Sequence, residues 1–99
     1  MMTYRIIPTN KKIELPKNKG YYIKGDSGED IEIISSFMAC AFMGYEKKLG
    51  VKIDDMLGDY FGDNLTAWVK YFQKQNGLDA DGGIGKITLA KLREYGLDA

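Results

Sequence analysis

The stretch "FGDNLTAWVKYFQKQNGLDADGGIGKITLAKL", residues 61–92, carries one pattern twice. A shift of 23 residues lays Phe61-Gly62 on Ile84-Gly85, Ala67 on Ala90 and Val69 on Leu92. Each copy is a glycine loop feeding an apolar-periodic run. In the first run Leu65, Val69 and Phe72, with Trp68, recur at helical spacing and form an inner face. Asp63 is the expected cap, and Asn76-Gly77 is a stop signal. The second run spans about Lys86 to Tyr95, with Leu89 and Leu92 inward, and ends at Gly96. A unit of this size cannot bury its apolar face alone, so two such units are expected to pack on each other and on a third element.

That third element lies upstream. Ile31, Ile34, Met38, Ala41 and Tyr45 follow at spacings of three and four, widened by Phe37 and Phe42. The helix is expected to begin near Ser27, with Asp26 and Glu29 at capping-box spacing. Gly44 weakens its far end. The connection "EKKLGVKIDDMLGDYFG" is long and predicts a short helical turn around Asp54–Leu57. Residues 1–24 read differently. "TYRIIP" and "KKIELP" are strand-like runs, each closed by a proline, and Pro8 and Pro16 confine them to edge positions. The expected fold is therefore all-α. A compact three-helix bundle occupies residues 22–99, with glycine loops before helices two and three. Residues 1–21 form a basic arm or linker that is extended or a short hairpin.

Composition narrows the functions. The chain has 99 residues, and 44% of them are apolar, which suits one folded domain. It contains no histidine, which removes the commonest general base and a ligand of most catalytic zinc sites. Cys40 is the single cysteine, so no internal disulfide forms, and its setting in "SFMACAFM" predicts a buried thiol. No apolar run reaches the about 18 residues that span a membrane. "MMTYRIIPTNKK" lacks the apolar core and cleavage site of a secretory signal. The net charge of zero hides an asymmetry: residues 1–24 carry six basic side chains against Glu14. A polyanion can meet that arm, but the helices lack the basic face of a duplex-DNA binder.

The loop "DADGGIG" has lookalikes that fail. A phosphate loop needs glycine five residues before Gly85 and serine or threonine after Lys86; Ala80 and Ile87 stand there. A dinucleotide fingerprint needs glycine where Thr88 stands. A calcium loop starting at Asp79 needs glycine at Ile84 and glutamate at Ala90. A structural loop accounts for the pattern better. In it Gly82 or Gly83 takes a positive φ, Gly85 permits close passage, Asp81 accepts N–H groups, Ile84 anchors the core and Thr88 bonds locally.

The residues also resemble a known family. "KGDSGEDIEIISSFM", "FGDNLTAWVKYFQKQNGL" and "DGGIGKITLAKL" are similar to the peptidoglycan-binding-domain-like family, the small three-helix wall-binding module of bacterial and phage lytic enzymes. Val69, Phe72 and Gln73 match its Ala-Val-x-x-Phe-Gln helix. Gly77-Leu78 match its turn, and Asp81, Gly82, Gly85, Thr88 and Leu92 its second loop. Gly25, Gly28 and Ile31 match its start. The resemblance covers about residues 22–96. The chain departs from the family at Gly58-Asp59-Tyr60-Phe61-Gly62, where the first pair is inverted. It departs again at Leu65 and Trp68, where threonine and alanine are usual, and in its longer connection.

The resemblance implies a non-catalytic module that holds bacterial peptidoglycan for a lytic enzyme such as a phage endolysin. Such a protein is made in the cytoplasm without a signal peptide and acts at the cell wall. No cofactor, metal, nucleic acid or membrane is implied. The expected partners are peptidoglycan, a covalently attached or associated catalytic domain, and anionic wall polymers through the arm. Carbohydrate and peptide recognition needs flat aromatic faces and side-chain amides. Tyr60, Asn64, Trp68, Tyr71 and Gln73 are the candidates, with Trp68 equally readable as core and Gln73 as a structural amide. Asp81, Gly82, Gly83, Gly85 and Thr88 are assigned to the structural loop. Two other readings compete. One is a protein-interaction module docking through its arm. The other is a small hydrolase using a carboxylate pair among Asp54, Asp55, Asp59 and Asp63.

Overall fold

A computed structural model describes residues 12–98. The order of elements is α1 (Glu29–Ala41), α2 (Tyr45–Leu49), α3 (Ile53–Met56), α4 (Asp63–Gln75) and α5 (Lys86–Glu94). The architecture is all-α. The three long helices α1, α4 and α5 follow from the three periodic runs, and the short α3 answers the turn expected in the connection. The run "TYRIIP" lies outside the described residues. Among the described residues β-pairing is limited to two isolated bridges, Tyr22 with Ile84 and Ser27 with Tyr60.

The core is built where the helical stripes meet. Ile31, Ile34 and Met38 of α1 are buried with Ile53 and Met56 of α3, Leu65, Trp68, Val69 and Phe72 of α4, and Leu89 and Leu92 of α5. Phe61 and Ile84, equivalent in the repeat, turn inward from the two glycine loops and are both fully buried. Each loop is stitched to residues 22–28. Tyr22 and Ile84 exchange N–H···O bonds of 3.0 and 2.7 Å. In the first loop Gly25 N–H donates to Phe61 O, Phe61 N–H to Asp26 O and Gly28 N–H to Asp59 O, each at 2.8 Å. One strap thus ties both halves of the repeat together, which is why neither half needs to be stable alone.

The helix ends also repeat. After α4, Leu78 N–H donates to Gln73 O and Gly77 N–H to Lys74 O; after α5, Leu97 N–H donates to Leu92 O and Gly96 N–H to Arg93 O. Both are Schellman closures with glycine at positive φ, 69° at Gly77 and 116° at Gly96.

Several local expectations are corrected. Helix α1 stops at Ala41, and Tyr45 opens the separate α2, because the chain breaks at Phe42–Gly44. The capping box does not form: Gly28 precedes α1 at φ 135° with no side-chain cap. Asp26 instead accepts from Lys19 Nζ at 2.6 and 2.7 Å and from Ile23 N–H at 2.8 Å. Asp63 does not cap α4 either; it is the first helical residue and pairs with Lys24 at 2.6 Å. Cys40 is half-buried rather than buried, since α1 turns it toward the rim.

The arm's last described residues rest on the core. Ile13 is only 1% exposed. Its N–H donates to Asp98 Oδ2 at 2.9 Å, and its carbonyl accepts from Arg93 Nη2 at 2.7 Å. Arg93 also pairs with Asp98, so the start and end of the described chain share one clamp.

Candidate functional site

The second glycine loop is organised by one side chain of α4. Gln73 is 1% exposed. Its Oε1 accepts from Gly82 N–H at 2.9 Å. Its Nε2 lies 2.9 Å from Gly83 O, 3.0 Å from Thr88 Oγ1 and 3.1 Å from Asp81 Oδ1. Asp81 Oδ1 also accepts from Gly83 N–H at 2.9 Å, closing the turn. A buried amide is tolerated only with its partners in place, and here both ends are used. Gly82 takes the positive φ, 83°, and a Cβ there would stand 2.9 Å from Thr66 Cγ2 and 3.0 Å from Lys70 Cε. Gly83 is not at positive φ; a Cβ there would crowd Tyr22 O at 3.2 Å.

Two clefts flank this loop. One, of about 290 Å³, is bounded by Leu78, Asp79, Lys86 and Ile87. The other, of about 310 Å³, is bounded by Gly20, Tyr21 and Ile23. Asp81, Gly83 and Gly85 line both.

The aromatic candidates separate. Trp68 is fully buried, with Nε1 donating to Val51 O at 3.1 Å, so it cannot meet a ligand. Gln73 is withdrawn from any contact surface for the same reason, its amide being spent on the loop. Tyr60 is 57% exposed and its ring edge lies over Gly62. Asn64 is exposed and donates to Asp55 O at 3.1 Å. Tyr71 is half-buried against Tyr45, with ring centroids 4.7 Å apart. Eight residues of helix, about 12 Å of rise, separate the start of α4 beside Tyr60 from Tyr71. Tyr71 belongs instead to an aromatic face with Phe42, Tyr45 and Tyr95, whose rings lie 5.1 Å apart or closer along the series. Burial, and then the neighbouring Tyr95 and Tyr71 hydroxyls, push the Tyr45 phenol up to about 12.

Asp54, Asp55, Asp59 and Asp63 all face solvent.

A family model described as a peptidoglycan binding domain matches residues 41–92. The chain belongs to this family. The match runs from the end of α1 into α5, so this peptidoglycan binding domain has both glycine loops, the Gln73 amide and the cleft at Leu78, Asp79 and Ile87 inside the family's bounds, while the cleft at Gly20, Tyr21 and Ile23 reaches outside them. No curated protein and no solved structure is significantly similar to the chain. Among the described residues no helix is long and apolar enough to cross a membrane.

Three groups that shape the domain escaped sequence reasoning. Ser35 Oγ, fully buried, donates to Gly58 O and accepts from Gly58 N–H, fixing the inverted first loop at Gly58 φ 131°. Tyr22 Oη donates to Asp30 Oδ2 at 2.8 Å beneath the strap. Arg93 and Asp98 clamp Ile13. The signal for Ser35 was present, a hydroxyl inside the apolar run "IEIISSFMAC". The clamp had none, because its partners are about 80 residues apart.

Proposed function

We propose that this domain holds bacterial peptidoglycan without cleaving it and keeps a linked or associated lytic enzyme, such as a phage endolysin, on its substrate. The observation that carries the reading is the family match across both loop-and-helix units. The exposed setting of the four aspartates supports a non-catalytic role. Tyr60 and Asn64 at the first loop, and Tyr71 on the aromatic face, are the contacts retained from the sequence, because they alone of the five candidates reach solvent. Trp68 serves as core and Gln73 as support of the second loop.

Docking through a basic arm is the weaker alternative. Lys19 of the arm is engaged by Asp26, which lowers the positive field the arm can offer. The test is co-sedimentation with purified sacculi, before and after removal of teichoic acid, for the intact chain and for folded Tyr60→Ala, Asn64→Ala and Tyr71→Ala variants. Binding that persists without teichoic acid and weakens in those variants is the expected result. Binding that all three variants retain and that disappears with teichoic acid would favour the arm.

A further inference from the structure

The two cap glycines of the repeat share one backbone conformation. Gly62 has φ −103° and ψ −167°; Gly85 has φ −99° and ψ −164°. Their surroundings differ. At Gly62 the space a side chain would take is filled by the Tyr60 ring, with Cε2 3.3 Å and Cδ2 3.4 Å from the Cβ position. The 23-residue shift places Gly83 where Tyr60 stands, so the second copy has no ring to lay there. At Gly85 the nearest atom to the same position is Tyr21 Cβ, at 3.9 Å.

Nothing in the fold demands glycine at position 85. Its φ is open to any residue, and a Cβ would make an ordinary contact. The clefts on the two sides of the loop share Asp81, Gly83 and Gly85 in their linings and are together called the trough, into which Gly85 puts no side chain. At Gly62 the edge of a flat ring packs against backbone of the same conformation.

The trough's lining indicates what that group belongs to. Asp79 and Asp81 offer acceptors on one side, and Lys86 offers a cation at the rim; all three are exposed. Ile87 is 71% exposed and Ile23 40%, giving small apolar walls. Tyr21 is the single aromatic ring among the residues that line the two clefts. A sugar face seeks flat aromatic plates and neutral hydrogen-bonding groups. Charges of both signs with short aliphatic walls suit a peptide bearing an amine and a carboxylate.

We propose that this trough seats the stem peptide of peptidoglycan. A peptide plane lies over Gly85 as the Tyr60 ring lies over Gly62, with the peptide's carboxylate beside Lys86 and its free amine beside Asp79 and Asp81. The inference rests on the peptidoglycan reading above and adds which part of the polymer is held. It is tested by following backbone amide signals by NMR during titration with three probes. These are a synthetic stem tetrapeptide with a free diamino-acid amine and C-terminal carboxylate, the same peptide acetylated and amidated, and chitotetraose. The free peptide is expected to move the Gly83, Gly85, Lys86 and Ile87 amides saturably. The blocked peptide should bind about tenfold more weakly, and chitotetraose should leave these amides unmoved.

Two variants sharpen the test. Gly85→Leu fills the trough without violating backbone geometry, and Lys86→Glu reverses an exposed charge. Each should keep the wild-type melting temperature and lose about tenfold in affinity for the free peptide. The assignment is overturned if chitotetraose moves the same amides, if the free peptide moves none of them, or if both variants bind the peptide as wild type does. If wild type and both variants sediment equally with sacculi, the peptide seat is wrong and peptidoglycan binding stands. If wild type does not sediment at all, both readings fall.

Discussion

Replacing Gln73 by methionine isolates what the buried amide contributes. Methionine keeps the length and nearly the volume of the side chain and removes its polar atoms. Two groups then lose their partner without access to water: the Gly82 N–H, on a buried residue, and the Thr88 hydroxyl, on a residue only 6% exposed. Gly83 O and Asp81 lie nearer solvent and can turn to water. A buried unsatisfied group costs about 1–3 kcal/mol, so the pair together should cost about 2–6 kcal/mol. A domain of this kind has about 5–15 kcal/mol in total, so the loss is a large share. Trp68, the chain's single tryptophan and fully buried, reports unfolding by fluorescence. With a urea slope of about 1–3 kcal/mol per molar, the midpoint should fall by about 0.7 molar or more while the slope stays constant. A loss below about 1 kcal/mol with an unchanged slope would mean that the loop is held by something other than this amide.

Other outcomes follow from single positions. Gly82→Ala should destabilise by about 1–2 kcal/mol in the same assay, from its positive φ and the 2.9 Å approach to Thr66 Cγ2. Ile13→Ala should cost about 2–4 kcal/mol, because it empties a site that is 1% exposed. A chain starting at Tyr22 should lose at least as much, since the hydrogen bonds to Asp98 and Arg93 go too. Tyr45 predicts alkaline instability. Its folded pKa of about 12 stands above the ordinary 10.0, so its contribution is intact below pH 10 and is lost as pH rises toward 12. Tyr45→Phe should flatten that part of the stability curve, measured by urea midpoints between pH 9 and 12.

Much of this was legible in local pattern, and the rest depended on distance. Leu65, Val69 and Phe72, with Leu89 and Leu92, declared the inner faces of α4 and α5 through spacing alone, and Asn76-Gly77 and Gly96 marked both ends. The start of α1 was misplaced because Asp26 and Glu29 have capping spacing while the strap, which no local rule reports, draws Asp26 toward Lys19 and Ile23. Tyr45 fits the period of α1 yet begins α2, since periodicity continues across a break that Phe42–Gly44 impose. At the site, the aromatic content of α4 was visible, but which rings reach water was not. Trp68 sits on the apolar stripe, and only the packing of Tyr45 and Val51 around it decides that it is core. Gln73 was readable as an amide near a loop; its reach to four loop residues required the loop's path. The cleft beside Tyr21 was invisible in sequence because it joins residues 20–23 to residues 81–85, whereas the other is built wholly from residues 78–88 and needed only the loop's path.

We propose that this chain binds peptidoglycan and does not cut it. The direct measurement is sedimentation of the intact chain with purified sacculi, with the supernatant assayed for reducing ends and free amines. Saturable depletion of the protein from the supernatant, with no release of either product, is the expected result. A chain that stays in solution at every sacculus concentration, or that sediments while reducing ends or amines accumulate, would contradict it.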